Sequence, residues 1–211
     1  MGYNAAPHDV ITAAEQPGGT AMIDRDRLWS IPPANMTLSS DEVHIWRAAL
    51  DVAPPQVHYL RQTLSEDEVQ RAERFVFERD RKQFTVARGL LRLILSRYLH
   101  IDPRQVRFCY SPYGKPGLIL PAGTDTLCFN VSHAHGLALY AFARDTELGV
   151  DVEYVRPLPE VEQIAKQFFS AQEQSTLRAL PEDQRLEAFF KFWTRKEAYI
   201  KARGEGLSLH Q

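Results

Sequence analysis

A pattern that occurs twice limits the fold of this chain more than any other feature. A short capped helix is followed by a longer helix running from aromatic to basic, first over 65–99 and again over 160–203. In the first copy Ser65-Glu66-Asp67-Glu68 has capping-box spacing, and Val69, Ala72 and Val76 keep one helical face apolar. From Arg81 onward Phe84, Ala87, Leu91, Ile94, Leu95 and Tyr98 recur at three- and four-residue steps, which predicts a longer helix ending before Pro103. In the second copy Val161, Ile164, Ala165, Phe168 and Phe169 share a helical face, and Ser170-Ala171-Gln172-Glu173 is another capping box. A last helix over about 183–203 carries Phe189, Phe192, Trp193 and Ile200 and stops at Gly204, a residue suited to a left-handed C-cap.

Strand signals fill the remainder. VHIWRAAL at 43–50 predicts a first strand, ended by Pro54-Pro55. VRFCYS at 106–111, a turn over Tyr113-Gly114-Lys115-Pro116-Gly117, CFNVS at 128–132, LALYAFA at 137–143 and LGVDVEYV at 148–155 follow. The order strand, helices, strands, helices places the chain in the mixed α/β (α+β) class with two similar halves, here taken as 41–135 and 136–211. Residues 1–40, rich in Gly, Pro, Ala and Asn, read as a mobile leader. At the other end Leu207 and Leu209 begin an alternating pattern just where the sequence stops, so the second half reads as shortened.

A length of 211 residues suits one large domain or two small, closely packed halves. The formal charge of −2 exerts no global pull toward nucleic acid or membrane, so any anion must be held by local basic residues. Cys109 and Cys128 both sit in apolar, strand-like runs, which suggests buried free thiols in a reducing compartment. The N-terminus has no signal-peptide pattern, and no run approaches the roughly 18 apolar residues of a membrane span. These features together describe a cytoplasmic protein.

Several residues could carry chemistry. In Gly149-Val150-Asp151-Val152-Glu153 strand alternation puts both carboxylates on one face, about 7 Å apart at roughly 3.3–3.4 Å per residue. Adjacent acids repel, and Mg²⁺ relieves that repulsion while leaving positions for water and phosphate. An isolated Asp-x-Glu is otherwise an ordinary solvated strand face. Glu197 and Lys201 are four apart on the last helix, which is the spacing of a surface salt bridge. Glu197 also follows Trp193 by four residues and Phe189 by eight, so it lies at the edge of the apolar face and points toward the body of the protein.

Asn130-Val131-Ser132-His133 ends a strand beside Gly136, where Ser132 and His133 could bind a phosphate oxygen. His133-Ala134-His135 lacks the third ligand that catalytic zinc needs, and Ser132 lacks a G-x-S-x-G elbow. Arg81, Arg88 and Arg92 fall on one stripe, a solvated face by default and an anion-binding face if folded over a cleft.

The order and wording of these signals resemble one family. GVDVE followed by FWTRKEAYIKARGEGLS resembles the two signature motifs of 4′-phosphopantetheinyl transferases of the surfactin-synthetase-activating type, and RFVFERD at 74–80, GKP at 114–116 and FNVSH at 129–133 resemble its upstream motifs. The resemblance implies a pseudo-dimeric α/β fold of two similar halves with the active site between them. It implies transfer of the phosphopantetheine arm of coenzyme A to a serine of an acyl or peptidyl carrier protein, as in fatty acid, polyketide and nonribosomal peptide biosynthesis, by a monomer. It makes Asp151, Glu153 and Glu197 the Mg²⁺ ligands, Glu197 the general base and Lys201 the pyrophosphate contact. Arg71, Ser132 and His133 would hold the 3′-phosphate, with Arg88 as an addition. Lys115 and Pro116 would lie against the nucleotide, and Asn130 would line the same loop. Two other readings use the same residues: a Mg²⁺-dependent phosphohydrolase or nuclease, and a protein that binds coenzyme A without turnover.

Overall fold

A computed structural model describes residues 36–121 and 126–204, together with Trp29 and Pro33. Most of the expected leader and the alternating Leu207–Leu209 stretch lie outside the described residues. The chain divides into two compact units. The first is built on Arg47–Arg107 with Gly136–Ala138, and the second on Ser40–Trp46, Phe108–His135 and the chain from Leu139 onward.

The first unit is helical. Helix α1 (Pro54–Arg61) and helix α2 (Glu66–Glu73) both pack on the long helix α3 (Glu78–Leu99), which leads into a 3₁₀ turn at Pro103–Gln105. Pro54-Pro55 does more than end a strand. Both prolines occupy the first positions of α1, where a missing amide costs nothing because those amides have no partner within a helix. Helix α3 buries Val86, Leu90, Leu91, Leu93, Ile94, Leu95 and Tyr98, and it ends with His100 left-handed at φ 53°.

Two expectations fail in this unit. Val76 does not extend the apolar face of α2, because that helix ends at Glu73 and Val76 is 86% exposed. The inward positions of α2 are Ala72 and, unexpectedly, the acid Glu68. The reason lies on α3, where Arg88 and Arg92 are buried instead of solvated. Arg92 Nε donates to Glu68 Oε2 at 2.6 Å, and its other nitrogens donate to the carbonyls of Pro103 (2.8 Å) and Val106 (3.1 Å) and to Ser65 Oγ (3.0 Å). Arg88 Nε faces Glu68 Oε1 at 2.9 Å. A buried carboxylate is tolerated only with such partners. Glu68 therefore joins α2 to α3 while also accepting the Ser65 amide at the helix start (3.0 Å).

In the second unit strands β2 (Phe108–Tyr110) and β3 (Pro116–Leu118) pair antiparallel, with Phe108 opposite Leu118 and Tyr110 opposite Pro116. Strands β4 (Leu127–Ala134) and β5 (Leu137–Arg144) form a hairpin through His135 and Gly136. Both turn residues have positive φ (49° and 79°), as a two-residue type I′ turn requires. Strand β1 (His44–Ala49) borders β5, giving the sheet order β1-β5-β4. Phe129 of β4 packs against Phe108 and Phe142 at ring separations of 5.9 and 6.4 Å.

Helices α4 (Val161–Phe168), α5 (Ala171–Ala179) and α6 (Glu182–Arg203) follow. Phe169, Phe189, Phe190, Leu177 and Ala165 form their core, bordered by Phe168, Phe192 and Trp193. The expected capping box at α5 forms in both directions, with Ser170 N donating to Glu173 Oε2 (2.7 Å) and Glu173 N to Ser170 Oγ (3.3 Å). Helix α6 ends at Gly204, left-handed as expected at φ 67°.

The strand expected at 148–155 does not form: residues 147–158 belong to no strand. The cysteines are free, but Cys109, on the mostly exposed short strand β2, is exposed and Cys128 on β4 is only partly buried. No helix among the described residues is long and apolar enough to cross a membrane.

Candidate active site in the second unit

The site grows out of β4. Asn130 and Ser132, two residues apart and therefore on one face of the strand, are each only 5% exposed. Their side chains replace the missing backbone ladder toward 148–155. Val150 N donates to Asn130 Oδ1 at 2.9 Å, and Val152 N to Ser132 Oγ at 3.3 Å. Asp151 lies between these two rungs.

Its side chain is 5% exposed. Oδ1 accepts from Ser132 Oγ (2.9 Å) and from Lys201 Nζ (2.6 Å), and Lys201 Nζ also donates to Ser132 Oγ (2.9 Å). The Ser132 hydroxyl thus gives its one hydrogen to Asp151 and accepts from Lys201 and Val152, so its bonding capacity is used up. Asp151 Oδ2, by contrast, is buried with no hydrogen-bond partner. A buried carboxylate oxygen left bare costs free energy unless a cation or donor reaches it.

Helix α6 meets this segment at Gly149. A β-carbon there would stand 1.8 Å from the Ala198 carbonyl oxygen and 2.6 Å from the Ala202 amide nitrogen. Those two atoms belong to the turn of α6 that also carries Glu197 and Lys201, and only glycine allows the approach. The end of α6 is also held by Lys115, whose ammonium donates to the Ala202 carbonyl at 2.9 Å and pairs with Glu147. A cation on the last carbonyls of a helix satisfies groups that have no partner inside it.

The remaining candidates are placed less tightly. Glu153 is exposed and Glu197 half-buried. His133 is exposed and Pro116 opens β3. Among the described residues no three His, Cys, Asp or Glu side chains converge on one point. Like charges converge only around positive charge, and the positive charge beside Asp151 is the Lys201 ammonium. His135, two residues along the hairpin from His133, stacks on Tyr154 at 4.0 Å.

In the first unit Arg71 is exposed on α2 with its guanidinium 5.5 Å from the centre of the Phe84 ring. Arg88 is the clearest departure from expectation. Its side chain is 9% exposed and faces Glu68, so it serves the interior of that unit. Sequence reasoning missed Gly149, Glu147 and Glu68. The capping box did single out Glu68, but only as a helix-start residue. Gly149 was in view inside GVDVE without the helix that explains it.

Comparison with known proteins bears on each half. A family model described as 4′-phosphopantetheinyl transferase, N-terminal, matches residues 51–144, and one described as 4′-phosphopantetheinyl transferase superfamily matches residues 147–211. One match on each half accords with the expected pseudo-dimeric α/β fold. The 4′-phosphopantetheinyl transferase HetI of Nostoc sp. is 47% identical over 180 residues, which is 85% of this chain and 76% of that protein. The 4′-phosphopantetheinyl transferase Sfp of Bacillus subtilis is 34% identical over 146 residues, covering 69% of this chain and 62% of Sfp. The 4′-phosphopantetheinyl transferase AcpT of Salmonella typhimurium is 37% identical over 113 residues, or 54% of this chain and 56% of its own. With HetI matched across most of both chains and a family model on either half, this chain belongs to the 4′-phosphopantetheinyl transferases of the Sfp type.

Proposed function

We propose that this transferase moves the 4′-phosphopantetheine arm of coenzyme A onto a serine hydroxyl of an acyl or peptidyl carrier protein, releasing 3′,5′-ADP, and that Asp151 is the centre of its site. The observation that supports this most directly is the division of labour within one carboxylate. Oδ1 is held by Ser132 and Lys201, while buried Oδ2 has no partner. That bare oxygen fits a hard cation, and Mg²⁺ asks for only one or two protein carboxylates. Asp151 would hold it, with Glu153 and Glu197 as the further acids. Bound there, Mg²⁺ would neutralise charge on the pyrophosphate of coenzyme A.

The protein's own groups do the rest. Lys201, 31% exposed and one turn beyond Glu197, offers an ammonium to the same pyrophosphate. Glu197 takes the proton of the attacking serine hydroxyl, a role that needs a carboxylate within hydrogen-bond reach of that hydroxyl in the ternary complex. Arg71 and His133, both exposed, hold the 3′-phosphate. Ser132 can join them only by withdrawing its hydrogen from Asp151, and Lys115 and Pro116 border the nucleotide. Arg88 is not carried into this site, because its guanidinium is buried against Glu68. We further place the enzyme in the cytoplasm as a monomer with no nucleic-acid or membrane partner, in keeping with its charge of −2.

Mass spectrometry of apo-carrier proteins incubated with coenzyme A and Mg²⁺ tests the proposal, using Asp151→Ala as the control. Wild type should add phosphopantetheine and the variant should not. Release of 3′,5′-ADP without any carrier would make the protein a phosphohydrolase, and coenzyme A binding with no modified carrier would make it a binding protein.

A further inference from the structure

We infer that Asn130 is a positioning residue that sets the place of Asp151, and not a contact to coenzyme A. The inference rests on reading Asp151 as the metal-binding acid of the site. Residues 147–158 join no strand, so the backbone around Asp151 takes no register from a ladder. What fixes it is a pair of side-chain rungs: Asn130 Oδ1 on the Val150 amide (2.9 Å) and Ser132 Oγ on the Val152 amide (3.3 Å). In an extended chain the amides of residues i and i+2 point the same way, so both rungs act on one edge and bracket the residue between them.

The two rungs are not equivalent. Ser132 is shared with Lys201 and with the Asp151 carboxylate, and any ligand that draws on its hydroxyl loosens its hold on Val152. Asn130 is 5% exposed, and its bond to the amide of Val150, itself only 8% exposed, is buried, whereas the Ser132–Val152 bond is only partly so. Water cannot replace this bond, and a ligand arriving at the rim of the site does not compete for it. Asn130 thus gives Asp151 a fixed origin while Ser132, Lys201 and the carboxylate exchange partners. Partners of this kind behind a metal ligand typically tune metal affinity by about 10–100-fold.

The test uses the full chain and Mn²⁺ as the probe. Binding of Mn²⁺ alone is followed by electron paramagnetic resonance, coenzyme A binding without metal by calorimetry, and the Val150 amide by hydrogen exchange. For N130A we expect exchange at Val150 to quicken by about tenfold or more. Mn²⁺ affinity should fall by about 10–100-fold and metal-free coenzyme A affinity should stay within about twofold. N130D, which keeps an acceptor oxygen at the same place, should restore protection of Val150. Unchanged Val150 exchange in N130A overturns the inference. So does loss of coenzyme A affinity with Mn²⁺ binding intact, which would make Asn130 a ligand contact. Should N130A not fold, N130S carries the same comparison, since its hydroxyl stops short of Val150. Asp151→Ala separates the two layers: equal Mn²⁺ binding by wild type and this variant refutes the metal reading, and the exchange result still decides the role of Asn130.

Discussion

Gly149→Ala puts the architecture of the site to a direct test. The added β-carbon would lie 1.8 Å from the Ala198 oxygen, 2.6 Å from the Ala202 nitrogen and 2.9 Å from the Ala198 carbonyl carbon. Real β-carbons stay outside about 3 Å of such atoms, so the backbone must part by more than about 1 Å. All three contacts are backbone, and no side chain can swing aside to absorb them. The methyl group would also wedge against the carbonyl and amide that face each other four residues apart in α6, in the turn bearing Glu197 and Lys201. Overpacking of this kind costs about 1–3 kcal/mol, and occasionally more, in stability. A displacement near 1 Å at the chemistry costs about 10²-fold in rate. The expected result is a folded protein with a lowered urea midpoint and kcat reduced by about 10²-fold in a carrier-modification assay, with both effects absent from a comparison variant, Gly117→Ala. At Gly117 the near neighbour among the described residues is Cys109 Sγ at 3.2 Å, a side-chain end that need give only a few tenths of an ångström to house an alanine. A Gly149→Ala protein with wild-type kcat and stability would refute the claim that close approach of α6 places Lys201 on Asp151.

Three further outcomes are expected. Glu197→Gln should lower kcat by about 10²–10⁴-fold at saturating Mg²⁺ and remove the acid limb of the pH–rate profile; wild-type kcat would end the general-base assignment. Arg71→Ala and His133→Ala should raise KM for coenzyme A far more than KM for 3′-dephospho-coenzyme A, and equal effects on both would exclude a 3′-phosphate contact. At Glu173 burial pushes the carboxyl up, but hydrogen bonds from Lys196 and from the Ser170 amide and hydroxyl outweigh it, and the net shift is downward from 4.5. A depressed carboxyl stabilises the fold above its ordinary value and loses that contribution as pH falls through the folded value. Glu173→Gln should therefore cost about 0.2–1 kcal/mol near neutral pH, and its urea midpoint should converge with wild type in strong acid; a constant difference across pH would contradict the ion pair with Lys196.

The elements legible in the sequence were those with a local cause. The capping box at Ser170 and the glycine stop at Gly204 each report on a few neighbouring residues, and α5 and α6 begin and end where those signals place them. Period-two runs likewise gave β4 and β5. What escaped was set by partners distant in sequence. LGVDVEYV has the alternation of a strand, yet its Val150 and Val152 amides are taken by the side chains of residues 20 positions earlier. Arg88 and Arg92 have the spacing of a solvated stripe, and only the acid on the facing helix turns them inward. Lys115 looks from its turn like a residue waiting for an anion, whereas the carbonyl it meets is 87 residues further on. In the site itself the residue types were readable, and the assignment of each oxygen of Asp151 was not.

The ionic cluster of Glu68, Arg88 and Arg92 also bears on how this enzyme can change over generations. Removing one member of a buried pair costs about 3–5 kcal/mol, a large share of the roughly 5–15 kcal/mol that holds a domain together. Replacing Glu68 with an apolar residue takes from both guanidinium groups the acid they face. Replacing Arg92 leaves Glu68 with Arg88 alone and takes the donor from the carbonyls of Pro103 and Val106. A path that begins at Glu68 or at Arg92 therefore passes through a less stable intermediate, even though the end point, a wholly apolar joint between α2 and α3, can be as stable as the starting one. Glu68 and Arg92 are thus hard to exchange one at a time, and together they anchor the helix that carries Arg71.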